Sequence, residues 1–233
     1  MGIDFKQKRK RLLFIIVLIG FISSLYYFDW WIDRIIIYSP VYIFVFLIFL
    51  FYVVSHVYCL WIIYLHAKYP PEPKSRPDFK VDVYLPTYNE PVALVEKTLE
   101  AVVNMSYPHT TYLIDDGNKE EYRTLAEKYN ARYLSRKNTK DYKAWNINNV
   151  LNCSDGEIIA IFDIDHIPRK NYLNESIGYF DDPEVGVVQV ALDHYNQKES
   201  YVANACGIMN DDFFAATMLG MNEMGCAVVF GSN

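Results

Sequence analysis

An α/β domain built on a mainly parallel, Rossmann-like sheet, preceded by two transmembrane helices, is the architecture the sequence predicts. Three observations carry it. Leu12–Phe28 and Ile35–Leu65 are long stretches free of Asp, Glu, Lys and Arg. From Val81 onward, short β-branched and aromatic runs alternate with helical patterns, the signature of βαβ units. Finally, the apolar run Ile158–Phe162 empties into two carboxylates one residue apart, Asp163 and Asp165. Ligands of open α/β sheets bind outside the carboxyl ends of the strands, so this pair stands where chemistry is expected.

The elements follow in order. Residues 1–11 form a basic N-terminus with Lys6, Lys8, Arg9, Lys10 and Arg11. Residues 12–66 hold the two spans, each long enough at 1.5 Å per residue to cross a hydrocarbon core of ~30 Å. A start near Ser39-Pro40 and some tilt would accommodate the longer one. Trp30, Trp31, Trp61 and Tyr64 fall near the ends, where aromatic belts sit. A cleaved signal peptide is the competing reading of the first span, but no small-x-small cleavage site precedes Asp29. The basic cluster holds the N-terminus in the cytoplasm, so two spans return the chain there. A multi-pass protein of the plasma or inner membrane with a cytoplasmic soluble domain is therefore expected.

Residues 67–79 make a proline-rich linker, and residues 80–233 the soluble domain. Its expected strands are Val81–Leu85, Tyr112–Ile114, Ala131–Leu134, Glu157–Phe162 and Val185–Val190. Its expected helices are Val92–Val103, Lys119–Tyr129, Asp141–Leu151 and Asn171–Phe180. A net charge of −6 and the lack of any basic stripe in this part exclude a nucleic-acid binder. Cys59, Cys153, Cys206 and Cys226 have neither metal nor disulfide spacing and read as reduced thiols.

Polar turns end the strands. Pro86-Thr87-Tyr88-Asn89-Glu90-Pro91 precedes a helix start, where backbone N–H groups and the helix dipole favour a phosphate. Asp115-Asp116-Gly117 closes the second strand, with Gly117 permitting positive φ and a carboxylate able to accept a uracil N–H or ribose hydroxyls. Lys143 could neutralise a diphosphate as a point charge. Alone, each is also what a plain turn or a solvated lysine looks like. The pair Asp163 and Asp165 is more specific. Two like charges at the end of a buried strand repel, and Mg²⁺ or Mn²⁺ relieves that while sharing phosphate oxygens. His166 beside them is structural or a ligand.

The order of these pieces resembles one family. Val81-Asp-Val-Tyr-Leu-Pro-Thr-Tyr-Asn-Glu-Pro91 resembles the opening of processive family 2 glycosyltransferases, cellulose synthase catalytic subunits in particular. Tyr112-Leu-Ile-Asp-Asp-Gly-Asn118 is similar to their second signature, and Lys143-Ala-Trp-Asn-Ile-Asn148 to their lysine-bearing motif. Phe162-Asp-Ile-Asp-His-Ile-Pro168 closely matches Phe-Asp-Ala-Asp-His-x-Pro, and Phe230-Gly-Ser-Asn233 resembles a later turn. The resemblance covers about residues 81 to 233. It implies a GT-A fold, a UDP-sugar donor, Mg²⁺ or Mn²⁺, and transfer with inversion to a growing β-linked polysaccharide. Thr87, Tyr88 and Glu90 would line the nucleotide pocket, and Asp115, with Asp116 nearby, would hold the uridine. Lys143 would face the diphosphate, while Asp163 and Asp165 bind metal and diphosphate. Asp115 and Asp163 would be the catalytic aspartates of this portion. The His after the acid pair favours glucose as the transferred sugar. Partners implied are the lipid bilayer, the acceptor polysaccharide and further synthase-complex subunits.

Two departures qualify the match. Trp145 stands where the family has glycine. The sequence ends at Asn233, whereas the family's general base, in a Thr-Glu-Asp motif, and its Gln-x-x-Arg-Trp motif follow later. Lack of a base would lower the rate by about 10²–10⁴. The expectation is thus the donor-binding part of a synthase. The alternatives are a catalytically incomplete UDP-binding membrane protein that pairs with a full-length synthase, and a relative making mannan, chitin or a glycolipid.

Overall fold

The computed structural model describes residues 2–35, 40–73, 78–135 and 142–230. Helix α1 runs Gly2–Ile35 and α2 Pro40–Tyr52. The second helix continues through a π-helical turn, Val53–Tyr58, into α3, Cys59–His66. Proline suits the first position of α2, where its missing N–H costs nothing. Lys10–Arg34 and Pro40–His66 are each long and apolar enough to cross a membrane, and 6% of each window is buried within the protein. Between their ends the exposed side chains are mostly apolar, which fits membrane spans.

Aromatic rings hold the two helices together. Phe28 packs edge-on to Phe46 and Phe49, and Trp31 stacks on Phe46 with centroids 6.0 Å apart. Ser24 and Tyr58 share a hydroxyl hydrogen bond of 2.5 Å, while the Trp61 ring lies on Gly20. Trp31 and Trp61, expected to mark the membrane interface, thus turn toward the opposing helix.

The α/β unit is a four-stranded parallel sheet of order β3-β2-β1-β4. Strand β1 is Val81–Thr87, α4 Val92–Val103, β2 His109–Asp115, α5 Glu120–Lys128 and β3 Arg132–Ser135. Helix α6, Tyr142–Leu151, then carries the chain back across the sheet to β4, Ile158–Ile161, beside β1. Alternation along the strands sorts the core. Val81, Val83, Leu85 and Leu113 pack with Val95, Leu99 and Val102 of α4 and Tyr122 of α5. Tyr84, Tyr112 and Ile114 point the other way, onto Val150 of α6. The strand order reverses between β1 and β4, which makes the space beyond their carboxyl ends the switch-point crevice of an open sheet.

Helix α7, Tyr172–Ser176, runs into a 3₁₀ turn over Ile177–Asp181. Val185–Val190, expected as a strand, is not one. It is irregular and joins no sheet among the described residues; Val187 is 59% exposed, while Val185, Val188 and Val190 are half-buried. Past it comes a helix that the sequence pattern did not reveal. Helix α8, Tyr201–Asp212, continues through a π-helical turn, Phe213–Met218, into α9, Leu219–Glu223. Ser200 caps it by accepting the Ala203 N–H at 3.0 Å.

Two compact units result: Met1–Pro70 with Ala191–Val228, and Pro71–Val190 with Val229–Asn233. Within the first, α9 crosses α3 so closely that a Cβ at Gly220 would lie 2.0 Å from the Ile63 carbonyl oxygen. The Tyr64 hydroxyl donates to Asp212 Oδ2 at 2.7 Å, and Lys68 pairs with Glu223 at 3.6 Å. Tertiary contact therefore explains a helix whose two glycines weaken its local signal.

Candidate functional site

Three loops gather at the carboxyl ends of the neighbouring strands β2, β1 and β4. The β1 loop folds on Glu90. Its Oε2 accepts the Thr87 hydroxyl and the Tyr88 N–H, both at 2.7 Å. Burial pushes the Glu90 carboxyl up, but those hydrogen bonds outweigh it and hold the group below the ordinary carboxylate range. Thr87 is buried and Tyr88 exposed. Glu90 therefore organises the loop, and Tyr88 is its accessible ring.

The β2 loop is built on Asp115, which is fully buried. Oδ1 accepts the Gly117 N–H at 2.6 Å, while Oδ2 accepts the Lys119 N–H at 2.6 Å and the Tyr133 hydroxyl at 2.8 Å. Backbone hydrogen bonding joins the two loops, since the Asp116 N–H donates to the Thr87 carbonyl at 2.9 Å. The Tyr122 hydroxyl adds a bond of 2.5 Å to the Glu90 carbonyl. Gly117 plays a different part from the expected one. Positive φ belongs to Asn118, at 51°, a residue type that tolerates the left-handed region. Glycine is needed at 117 because a Cβ there would meet the Tyr88 carbonyl oxygen at 2.3 Å.

The β4 loop carries the acid pair. Phe162 N–H still bonds the Tyr84 carbonyl at 3.1 Å, and the chain then turns, with the His166 N–H donating to the Asp163 carbonyl at 2.9 Å. Both carboxylates converge on the His166 ring. Asp163 Oδ2 lies 3.9 Å from Nδ1 and Asp165 Oδ1 3.8 Å from Nε2. Their side chains are 37% and 69% exposed, open to a ligand. From beneath, the buried Thr98 hydroxyl of α4 donates to the Ile164 carbonyl at 2.6 Å, between the two acids. Thr98→Val is expected to strand that carbonyl and cost about 1–3 kcal/mol of stability, read by denaturant unfolding.

Among the described residues, no group of three His, Cys, Asp or Glu side chains could hold a metal by itself. Two exposed carboxylates one residue apart suit a hard divalent ion that would keep waters and take its other oxygens from a phosphate. The Lys143 and Trp145 side chains lie outside the described residues, as do Gly231–Asn233. Sequence reasoning missed Tyr133 and Thr98. Neither sits in a motif, and nothing in their spacing marks them.

An open parallel sheet with acidic loops at the ends of adjacent strands is the arrangement of a GT-A glycosyltransferase domain. The match to glycosyl transferase family 2 spans residues 82–218, more than half of the chain, which therefore belongs to that family. A cellulose synthase catalytic subunit (UDP-forming) of Pseudomonas fluorescens (strain SBW25) is 38% identical over 122 residues, 51% of this chain and 16% of that protein. Cellulose synthase 2 of Novacetimonas hansenii is 34% identical over 137 residues, 57% of this chain and 9% of that protein. The chain thus corresponds to a small part of these relatives. Among solved structures, the mannosyltransferase of Pyrobaculum calidifontis in complex with GDP-Man and Mn²⁺ is 25% identical at a TM-score of 0.49. That likeness covers 60% of this chain and 45% of the other.

Proposed function

We propose that this chain is the donor-binding part of a membrane-bound inverting transferase. It passes a hexosyl unit, glucose, from a UDP-sugar to a growing β-linked polysaccharide. The observation that carries this reading is that the exposed Asp163 and Asp165 side chains follow the end of β4, each within 4 Å of the His166 ring, next to β1 at the switch point of the sheet. Identity of 38% and 34% to cellulose synthases supports a glucan product.

Each group then has a role. Asp115 receives the uridine, with Asp116 beside it, and the Tyr88 ring borders the nucleotide. Thr87 and Glu90 hold that loop in shape. Asp163 and Asp165 hold the divalent cation and Lys143 faces the diphosphate. The cation, when bound, supplies Lewis-acid stabilisation of the departing diphosphate. Thr98 keeps the acid turn in register, so the diphosphate meets carboxylates already in place. The apolar helices anchor the domain in the membrane. The basic cluster at residues 6–11 keeps it cytoplasmic, where sugar nucleotides are made.

Calorimetry on the chain in detergent is expected to show UDP binding that requires Mn²⁺ or Mg²⁺. UDP-glucose should compete for that site better than UDP-N-acetylglucosamine or GDP-mannose. Binding that ignores the cation, or prefers GDP-mannose, would overturn the assignment of site and donor respectively.

A further inference from the structure

The Asp115 carboxylate has less room for a ligand than its position suggests. A carboxylate offers about four acceptor sites. The Lys119 N–H and the Tyr133 hydroxyl take up Oδ2, and the Gly117 N–H takes one of the two sites on Oδ1. One acceptor site remains.

We infer that Tyr133 is a specificity-determining positioning residue for the nucleobase, filling Asp115 Oδ2 so that the carboxylate can accept only one further donor. The inference rests on the reading of Asp115 as the uridine contact. Uracil offers a single imide N–H on that edge. Guanine offers two parallel donors, an N–H and an amino group, which seek both oxygens of a carboxylate. With Oδ2 occupied, the two-donor pairing is blocked, while a single bond would need only Oδ1 of this buried carboxylate to be uncovered.

The surroundings of Tyr133 suit this role. Burial, and then the Asp115 carboxylate itself, push the Tyr133 hydroxyl up to about 12, so it stays protonated and remains a donor at working pH. The ring is held from outside by the Arg123 guanidinium, 4.9 Å from its centroid. Tyr133 also packs against the main core of the sheet. Its side chain is thus fixed independently of any nucleotide, and the hydroxyl is pre-aimed.

The test is Tyr133→Phe in the full chain, titrated in the presence of Mn²⁺ with UDP, GDP and pyrophosphate. The variant keeps the ring and loses only the donor. Its preference for UDP over GDP is expected to fall by roughly tenfold, the size of one hydrogen bond to a charged group. Pyrophosphate affinity should stay within about twofold, because it reports on the acid pair and not on the base. An unchanged preference overturns the inference, as does a parallel loss for all three ligands. N3-methyl-UDP on the unaltered chain gives a second reading that needs no mutation. It should bind roughly tenfold or more weakly than UDP, and equal binding would overturn the one-donor account. Absence of cation-dependent UDP binding in the unaltered chain would instead bring down the assignment of the site itself.

Discussion

Replacing Asp165 by Asn is expected to weaken Mn²⁺-dependent UDP binding by on the order of a hundredfold and to leave the fold intact. The Asp165 side chain is 69% exposed and stands 3.8 Å from the His166 ring, too far for a hydrogen bond. Surface substitutions of this kind change stability by about ±0.5 kcal/mol. For ligand binding the position is different. A cation between a diphosphate and two carboxylates loses half of the protein's charge when one becomes an amide. Even groups that only support metal ligands cost about 10–100-fold when removed, so a direct ligand belongs at the upper end. Calorimetry reads the affinity and thermal unfolding the fold. Cation-dependent binding that survives in Asp165→Asn would mean the metal sits elsewhere.

Asp115→Ala should behave in the opposite way and damage the fold itself. Removing this carboxylate strands the Gly117 and Lys119 N–H groups and the Tyr133 hydroxyl, at about 1–3 kcal/mol for each one kept from water. Gly117 is exposed and recovers part of its loss through solvent. A total of about 3–5 kcal/mol follows, a large share of a typical domain stability of about 5–15 kcal/mol. Urea unfolding followed by tyrosine fluorescence would measure it. A loss below about 1 kcal/mol would show that the loop stands without its aspartate, and would leave Asp115 as a ligand contact alone. The two aspartates thus divide the work. On the proposed reading Asp165 would serve the ligand, whereas Asp115 first builds its own loop.

Much of the fold could be read from local pattern. Val92–Val103 is helical over the expected residues, since Val95, Leu99 and Val102 recur at helical spacing. The strands under Thr87, Asp115 and Asp163 lie where the apolar runs placed them, because each run meets a polar turn that stops it. The family resemblance rested on the same residues. Such features depend on neighbours in sequence, and a chain met for the first time displays them.

What depended on distant partners was hidden. Val185–Val190 has strand propensity but joins no sheet among the described residues, and Tyr201–Glu223 is helical although Gly207 and Gly220 interrupt its pattern. Gly117 looked like a backbone hinge, yet only the nearness of Tyr88 explains it. Tyr133 and Thr98 each reach a partner far off in sequence, at a separation of 18 to Asp115 and 66 to Ile164. Sequence periodicity alone determined strands β1 to β4, the helices between them and the acids that end them, because those are properties of short segments. Tertiary structure alone decided the strand order β3-β2-β1-β4 and the hydrogen bonds that occupy Asp115. Those follow from which surfaces meet, and burial rewards a meeting whatever its separation along the chain.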